Sequence, residues 1–176
     1  LTGGGGGGGG GGSVDVSGEQ LQLQQRERAP EELAAVLPQW TQVYRRLHLD
    51  NAHTVRIAAA KALAAITAGA GKGLGKHLKP LLPSWWCAVH DPNPEVASAA
   101  RAAFDAVFPP QKRAGALLFA YEEVMDAISE NLKIRTPSDM PYREGSAEEQ
   151  HERHERMLAM SITALGGFAK EALVLG

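Results

Sequence analysis

The 176-residue sequence predicts an all-α fold, a solenoid of stacked antiparallel helix pairs, on three observations. The first is an internal repeat. LPQWTQVYRRLHLDNAHTVRIAAAKALAAIT, starting at Leu37, returns at an offset of 41 residues as LKPLLPSWWCAVHDPNPEVASAARAAFDAVF. Tyr44 then falls on Trp85, Asp50 on Asp91, Leu63 on Phe104 and Ile66 on Val107. The second is periodicity: Trp40, Val43, Tyr44 and Leu47 recur at i, i+3, i+4 and i+7, one face of an α-helix. The third is the run of alanines in the second half of each copy, which lets neighbouring helices approach closely. A repeat of about 40–47 residues read as two helices and a turn is the signature of HEAT or armadillo units. Such a pair cannot bury both apolar faces alone, so it requires stacked neighbours.

The chain opens on an unbroken glycine run, Gly3 to Gly12, followed by polar residues. Nothing there buries enough surface to offset the entropy of ordering it, so residues 1–29 are expected to be a disordered Gly-rich linker. The glycines follow no strand and open no helix, which excludes a dinucleotide fingerprint. Helical repeats are expected over 30–176, at about 30–69, 70–110 and 111–176. Pro30-Glu31-Glu32 suits a helix start, with its acidic first turn. Asp50 and Asp91 stand where a carboxylate would cap the second helix of each copy.

GAGKGLGKH (Gly69 to His77) is expected to be a loop between copies. It fails as a phosphate-binding loop, because the pair Gly75-Lys76 lacks a glycine at Ala70 and a hydroxyl at His77. Pro80 and Pro83 place the next helix start near Pro80, or a kink there. Trp85 takes the core position of Tyr44. Trp86 takes the polar position of Arg45, so its indole faces either solvent and a partner or a neighbouring loop. After Phe108-Pro109-Pro110, a third unit begins with Leu117, Tyr121, Val124 and Ile128 on one stripe. A long polar connection over 133–147 leads to a last helix from about Glu148. Its expected apolar face is Leu158, Ile162, Leu165, Phe168, Ala169 and Ala172, left for a fourth unit of a longer solenoid to cover.

The formal net charge is −2, but it is unevenly spread. Residues 37–113 carry +6 and the remainder −8, a positive surface between acidic flanks that suits a phosphate-rich or acidic partner. The candidate binding residues are accordingly Lys72, Lys76 and Lys79 after copy one, Lys112 and Arg113 after copy two, and Trp86 beside them. Equivalent connections of a solenoid emerge along one edge, so these charges are expected to form a basic ridge. The single cysteine, Cys87, excludes an internal disulfide and reads as a packed thiol. HERHE (His151 to Glu155) puts its second histidine at i+3 where a zinc-protease helix needs i+4, and reads as a solvated helix start. No catalytic or metal-binding residues are expected. No apolar run spans a membrane, and no signal segment is expected, which points to the cytosol.

Over about Glu31 to Lys170 the chain resembles the N-terminal region of the listerin family of E3 ubiquitin ligases. The carriers are LPQW…YRRLHLDNAHTVR, then HLKPLLPSWWCAVHDPNPEVASAARAAFDAVFPPQKR with its paired tryptophans, and ALLFAYEEVMDAISENL. The resemblance implies a long HEAT-type arch ending in a zinc-binding RING. It also implies ubiquitination of nascent chains stalled on large ribosomal subunits, within ribosome-associated quality control. This segment would then anchor without catalysing. Its partners would be the large subunit and a quality-control factor, and neither a membrane nor DNA. A ubiquitin-conjugating E2, and zinc, would belong only to the RING, whose eight ligands one cysteine cannot supply. The alternative is a HEAT-repeat adaptor unrelated to ribosomes.

Overall fold

The computed structural model describes residues 16–173, which form seven α-helices, two short 3-10 helices and no strand. The helices are α1 (Val16–Leu47), α2 (His53–Ala70), α3 (Leu78–Val89), α4 (Pro94–Val107), α5 (Pro110–Phe119), α6 (Tyr121–Lys133) and α7 (Ala147–Ala172). Part of the expected linker, before Val16, lies outside the described residues. From Val16 onward the chain is helical, well before the start expected at Pro30. LQLQQRERA is composed of strong helix formers, and their summed propensity carries the helix through Pro30 and Pro38, each of which removes one backbone donor.

The first two pairs stack as the repeat requires. α1 packs on α2 and α3 on α4, while α2 lies along α4. The aligned positions Tyr44 and Trp85 are both buried, as are Leu63 and Phe104. Phe104 centres an aromatic cluster, with ring centroids 5.4 Å from Trp85, 5.4 Å from Trp86 and 4.9 Å from Phe108.

The two aspartates do something other than cap. Asp50 accepts from the Ala52 amide at 2.8 Å and Asp91 from the Asn93 amide at 2.8 Å, so each shapes the turn that leads into the N-cap residue two positions on. The cap of α4 is Asn93, whose side chain accepts from Glu95 and Val96 ahead of Pro94 at the first helical position. Asp91 also takes Arg56 of α2 in a forked, buried ion pair of 2.8 and 3.3 Å. Arg56 in turn donates to the Asp50 and Asn51 carbonyls at 2.6 and 3.0 Å, tying the turn of one unit to that of the next.

The stretch expected to be a loop is a 3-10 helix, Gly71–His77, pinned by the buried Leu74. Its glycines follow from geometry. Gly71 has φ +50°, and a Cβ on Gly73 would come within 2.7 Å of the Ala34 side chain of α1. The third unit also departs from expectation. Its first stripe breaks at Ala120 into α5 and α6, leaving Leu117, Val124 and Ile128 buried but Tyr121 half exposed.

α7 buries Phe168 and part of Leu158 and Ala172 from the expected face but turns Ile162 and Leu165 outward. His154, Met157, Met160, Ser161, Ala164 and Phe168 are buried, whereas Ile162 is 62% and Leu165 38% exposed. Near its start the Arg156 guanidinium donates to the Leu49 carbonyl and the Asn51 side chain, both at 2.8 Å. Further on, its Ala164 carbonyl accepts from the Trp86 indole at 2.9 Å, and Gly167 sits against His90. α7 thus lies across the turns of both preceding pairs. Its N-terminus is held by a capping box between Ser146 and Glu149, and Met140 buries the connection that leads into it.

Candidate functional site

The six sequence-derived candidates do not converge. Lys72 and Lys76 are exposed and together line an open groove of about 770 Å³ between the 3-10 helix and residues 30–35 of α1, with Glu31 and His77 beside them. Lys112 is exposed at the first turn of α5, on an element separate from that groove. Lys79 is committed to Glu123 at 3.0 Å and lies 5.3 Å from the centroid of the Phe119 ring. Arg113 pairs with Asp105 at 2.8 Å and approaches Glu171 at 4.0 Å. Trp86 is 3% exposed beneath α7. Its indole is spent inside the chain on the Ala164 carbonyl, and the alignment with Arg45 carried no information about α7, which lies outside the repeat. Three freely exposed cations remain of the expected ridge.

Cys87 is buried, and burial pushes its thiol up to about 12, a packed and unreactive group. His151 is exposed against Glu155, while His154 turns inward to the Ile134 carbonyl at 3.0 Å, so the two imidazoles do not share a site. Among the described residues no three His, Cys, Asp or Glu side chains gather to hold a metal.

A second groove, of about 610 Å³, escaped sequence reasoning. It runs between α1, α3 and α6 and is closed at one side by Pro141 and Tyr142. Glu123, Asp126 and Glu130 form its α6 wall, at the i, i+3, i+7 spacing of one helical face. That spacing was the available signal, and it is indistinguishable in sequence from an ordinary solvated face. Arg45 and Lys79 stand on the α1 and α3 walls, and His48, Ser84 and Cys87 lie at the floor. Burial holds the His48 ring neutral, its pKa lowered to about 4.

Stacked antiparallel helix pairs place the chain in the α-solenoid class. Residues 19–172 match the family model described as the N-terminal domain of E3 ubiquitin-protein ligase listerin, and the chain belongs to that family. It is 33% identical over 141 residues to E3 ubiquitin-protein ligase listerin of Xenopus tropicalis and 32% over 140 residues to that of Mus musculus. The Gallus gallus listerin is 31% identical over 141 residues. These alignments take in 79–80% of the chain but only 8% of each relative. No described helix is long and apolar enough to cross a membrane.

Proposed function

We propose that this region is the non-catalytic anchor of a listerin-type E3 ubiquitin ligase in the cytosol, holding the ligase to large ribosomal subunits that carry stalled nascent chains. Ubiquitin transfer, the E2 enzyme and zinc belong on this reading to a RING elsewhere in the protein. Membership of the listerin N-terminal family carries the proposal. The positive groove at Lys72 and Lys76, with Lys112 as a further exposed cation, supplies chemistry suited to ribosomal RNA phosphates. A quality-control factor bound to the same subunit is the expected second partner.

The test is co-sedimentation of the chain with purified large subunits. Changing Lys72, Lys76 and Lys112 to Glu should abolish it while circular dichroism stays unchanged. For the parent, three phosphate contacts correspond to a slope of about −2 to −3 in log affinity against log salt. Lys79 and Arg113 are left intact, since their replacement would also break ion pairs. Full co-sedimentation by the folded triple variant would remove the lysines from the contact. Absence of any binding by the parent would favour an adaptor with no ribosome contact.

A further inference from the structure

The groove between α1, α3 and α6 carries chemistry that the ribosome reading does not use. Its unmatched polar atoms are almost all acceptors. The His48 Nδ1 lies 3.0 Å from the Tyr44 carbonyl, which only accepts, so Nδ1 carries the proton and Nε2 offers a lone pair. That Nε2 has no partner among the described residues, and neither has the Ser84 hydroxyl, although His48 is 7% and Ser84 8% exposed. Both residues line the groove. Asn131 donates its amide to Ser161, leaving its carbonyl oxygen as the free end. Glu123 gives one carboxylate oxygen to Lys79, and the other is buried without a partner. Asp126 and Glu130 make no ion pair among the described residues.

Of the two cations of the groove, only Lys79 is paired with a carboxylate. Lys79 holds Glu123, and Arg45 donates to the Pro80 carbonyl at 3.3 Å. What remains is a groove with three carboxylates against two cations, whose Asp126 and Glu130 form no ion pair among the described residues, over a floor with free acceptors and flanked by the apolar faces of Pro83 and Tyr142. Only a donor-rich cation satisfies such a set, and a planar guanidinium does so with several N–H groups at once while its face and stem lie on proline and tyrosine. A compact ammonium fills fewer of these acceptors. The volume exceeds what one side chain needs and leaves room for flanking backbone. We propose that this groove receives an arginine side chain presented by an extended segment of a partner protein.

The experiment titrates the 15N-labelled chain with acetyl-Leu-Arg-Leu-amide and follows backbone amide shifts. Shifts confined to the neighbourhood of Ser84, Cys87 and α6, saturating at about millimolar peptide, are expected. The same tripeptide with citrulline in place of arginine should bind at least about tenfold more weakly, because it keeps the shape and loses the charge. Asp126→Asn with Glu130→Gln, both on exposed positions, should weaken the arginine peptide by a similar factor with an unchanged melting curve. The proposal falls if no shifts appear, if citrulline binds as well, or if the folded double variant binds as the parent does. Stronger saturation of the same amides by spermine than by the tripeptide would make the groove a site for small cations and equally overturn it. Because none of these measurements involves Lys72, Lys76 or Lys112, its outcome is separate from that of the ribosome test.

Discussion

Replacing Asp91 with Ala tests how the first two units are joined. Its carboxylate is fully buried and faces Arg56, itself only 5% exposed, so removal strands a guanidinium in the core. Arg56 keeps the Asp50 and Asn51 carbonyls through one nitrogen, but its other two nitrogens lose their acceptor. Arg156 worsens the imbalance. Burial first and the Arg56 charge next lower its pKa to about 10, and Asp91 is the foremost nearby carboxylate that opposes them. Removing one partner of a buried pair costs about 3–5 kcal/mol. At about 2–4 °C per kcal/mol for a chain of this size, the melting temperature should fall by about 6–20 °C. The exposed pair Arg46–Glu144, at 57% and 65% side-chain exposure, is the internal control, and Glu144→Ala should cost less than about 1 kcal/mol. Thermal melts followed by circular dichroism, with Arg56→Met and the double variant completing a cycle, measure the coupling. Asp91→Ala destabilising no more than Glu144→Ala would refute the argument, as would additivity of the two single changes.

Phe104→Ala and Leu63→Ala, at equivalent buried positions, should each cost about 2–5 kcal/mol in a urea titration, with Phe104 the larger because three aromatic rings lose their partner. The His48 pKa, lowered by burial from 6.5 to about 4, means the unfolded chain binds a proton more readily than the folded one. Stability should therefore be lost as pH falls from about 6.5 towards 4, by at most about 3 kcal/mol from this residue, and His48→Gln should flatten the decline in urea midpoint. Cys87 should resist a thiol reagent at pH 8 in the native chain and react at once in denaturant; rapid native labelling would contradict its burial.

Much of this was legible because the repeat registers two copies against each other. A position that is apolar in both, such as Tyr44 and Trp85 or Leu63 and Phe104, is core on two counts, and all four are buried. α7 has no second copy to set its register. Its two sides are both apolar, with Met157, Met160 and Ala164 on one, Leu158, Ile162 and Leu165 on the other, and Phe168 between them, counted with the second side in sequence but buried with the first. The structure chose the side that also carries His154, Arg156 and Ser161, of which only His154, within HERHE, reads as solvated in sequence. Each of these polar groups finds a specific partner, in Ile134, Leu49 and Asn131 respectively. Hydrophobicity alone favoured the richer aliphatic side, and tertiary hydrogen bonds reversed the choice. The acceptor-lined groove was illegible for a related reason: it is assembled from α1, α3 and α6, and no single stretch of sequence contains it.

The course of α7 changes what kind of spring this end of the array can be. In a solenoid whose units touch only their neighbours, strain is shared as small rotations at each junction, and terminal units fray first. A helix fastened at Leu49 and Asn51 and again at Trp86 bridges one such junction from outside. Bending between the first two units must then stretch or release α7, so that joint is stiff until the helix lets go. The strut closes through contacts more than a hundred residues apart, which makes it late to form, and its departure loosens both turns together. The segment should accordingly melt as one cooperative block, with no unit-by-unit fraying.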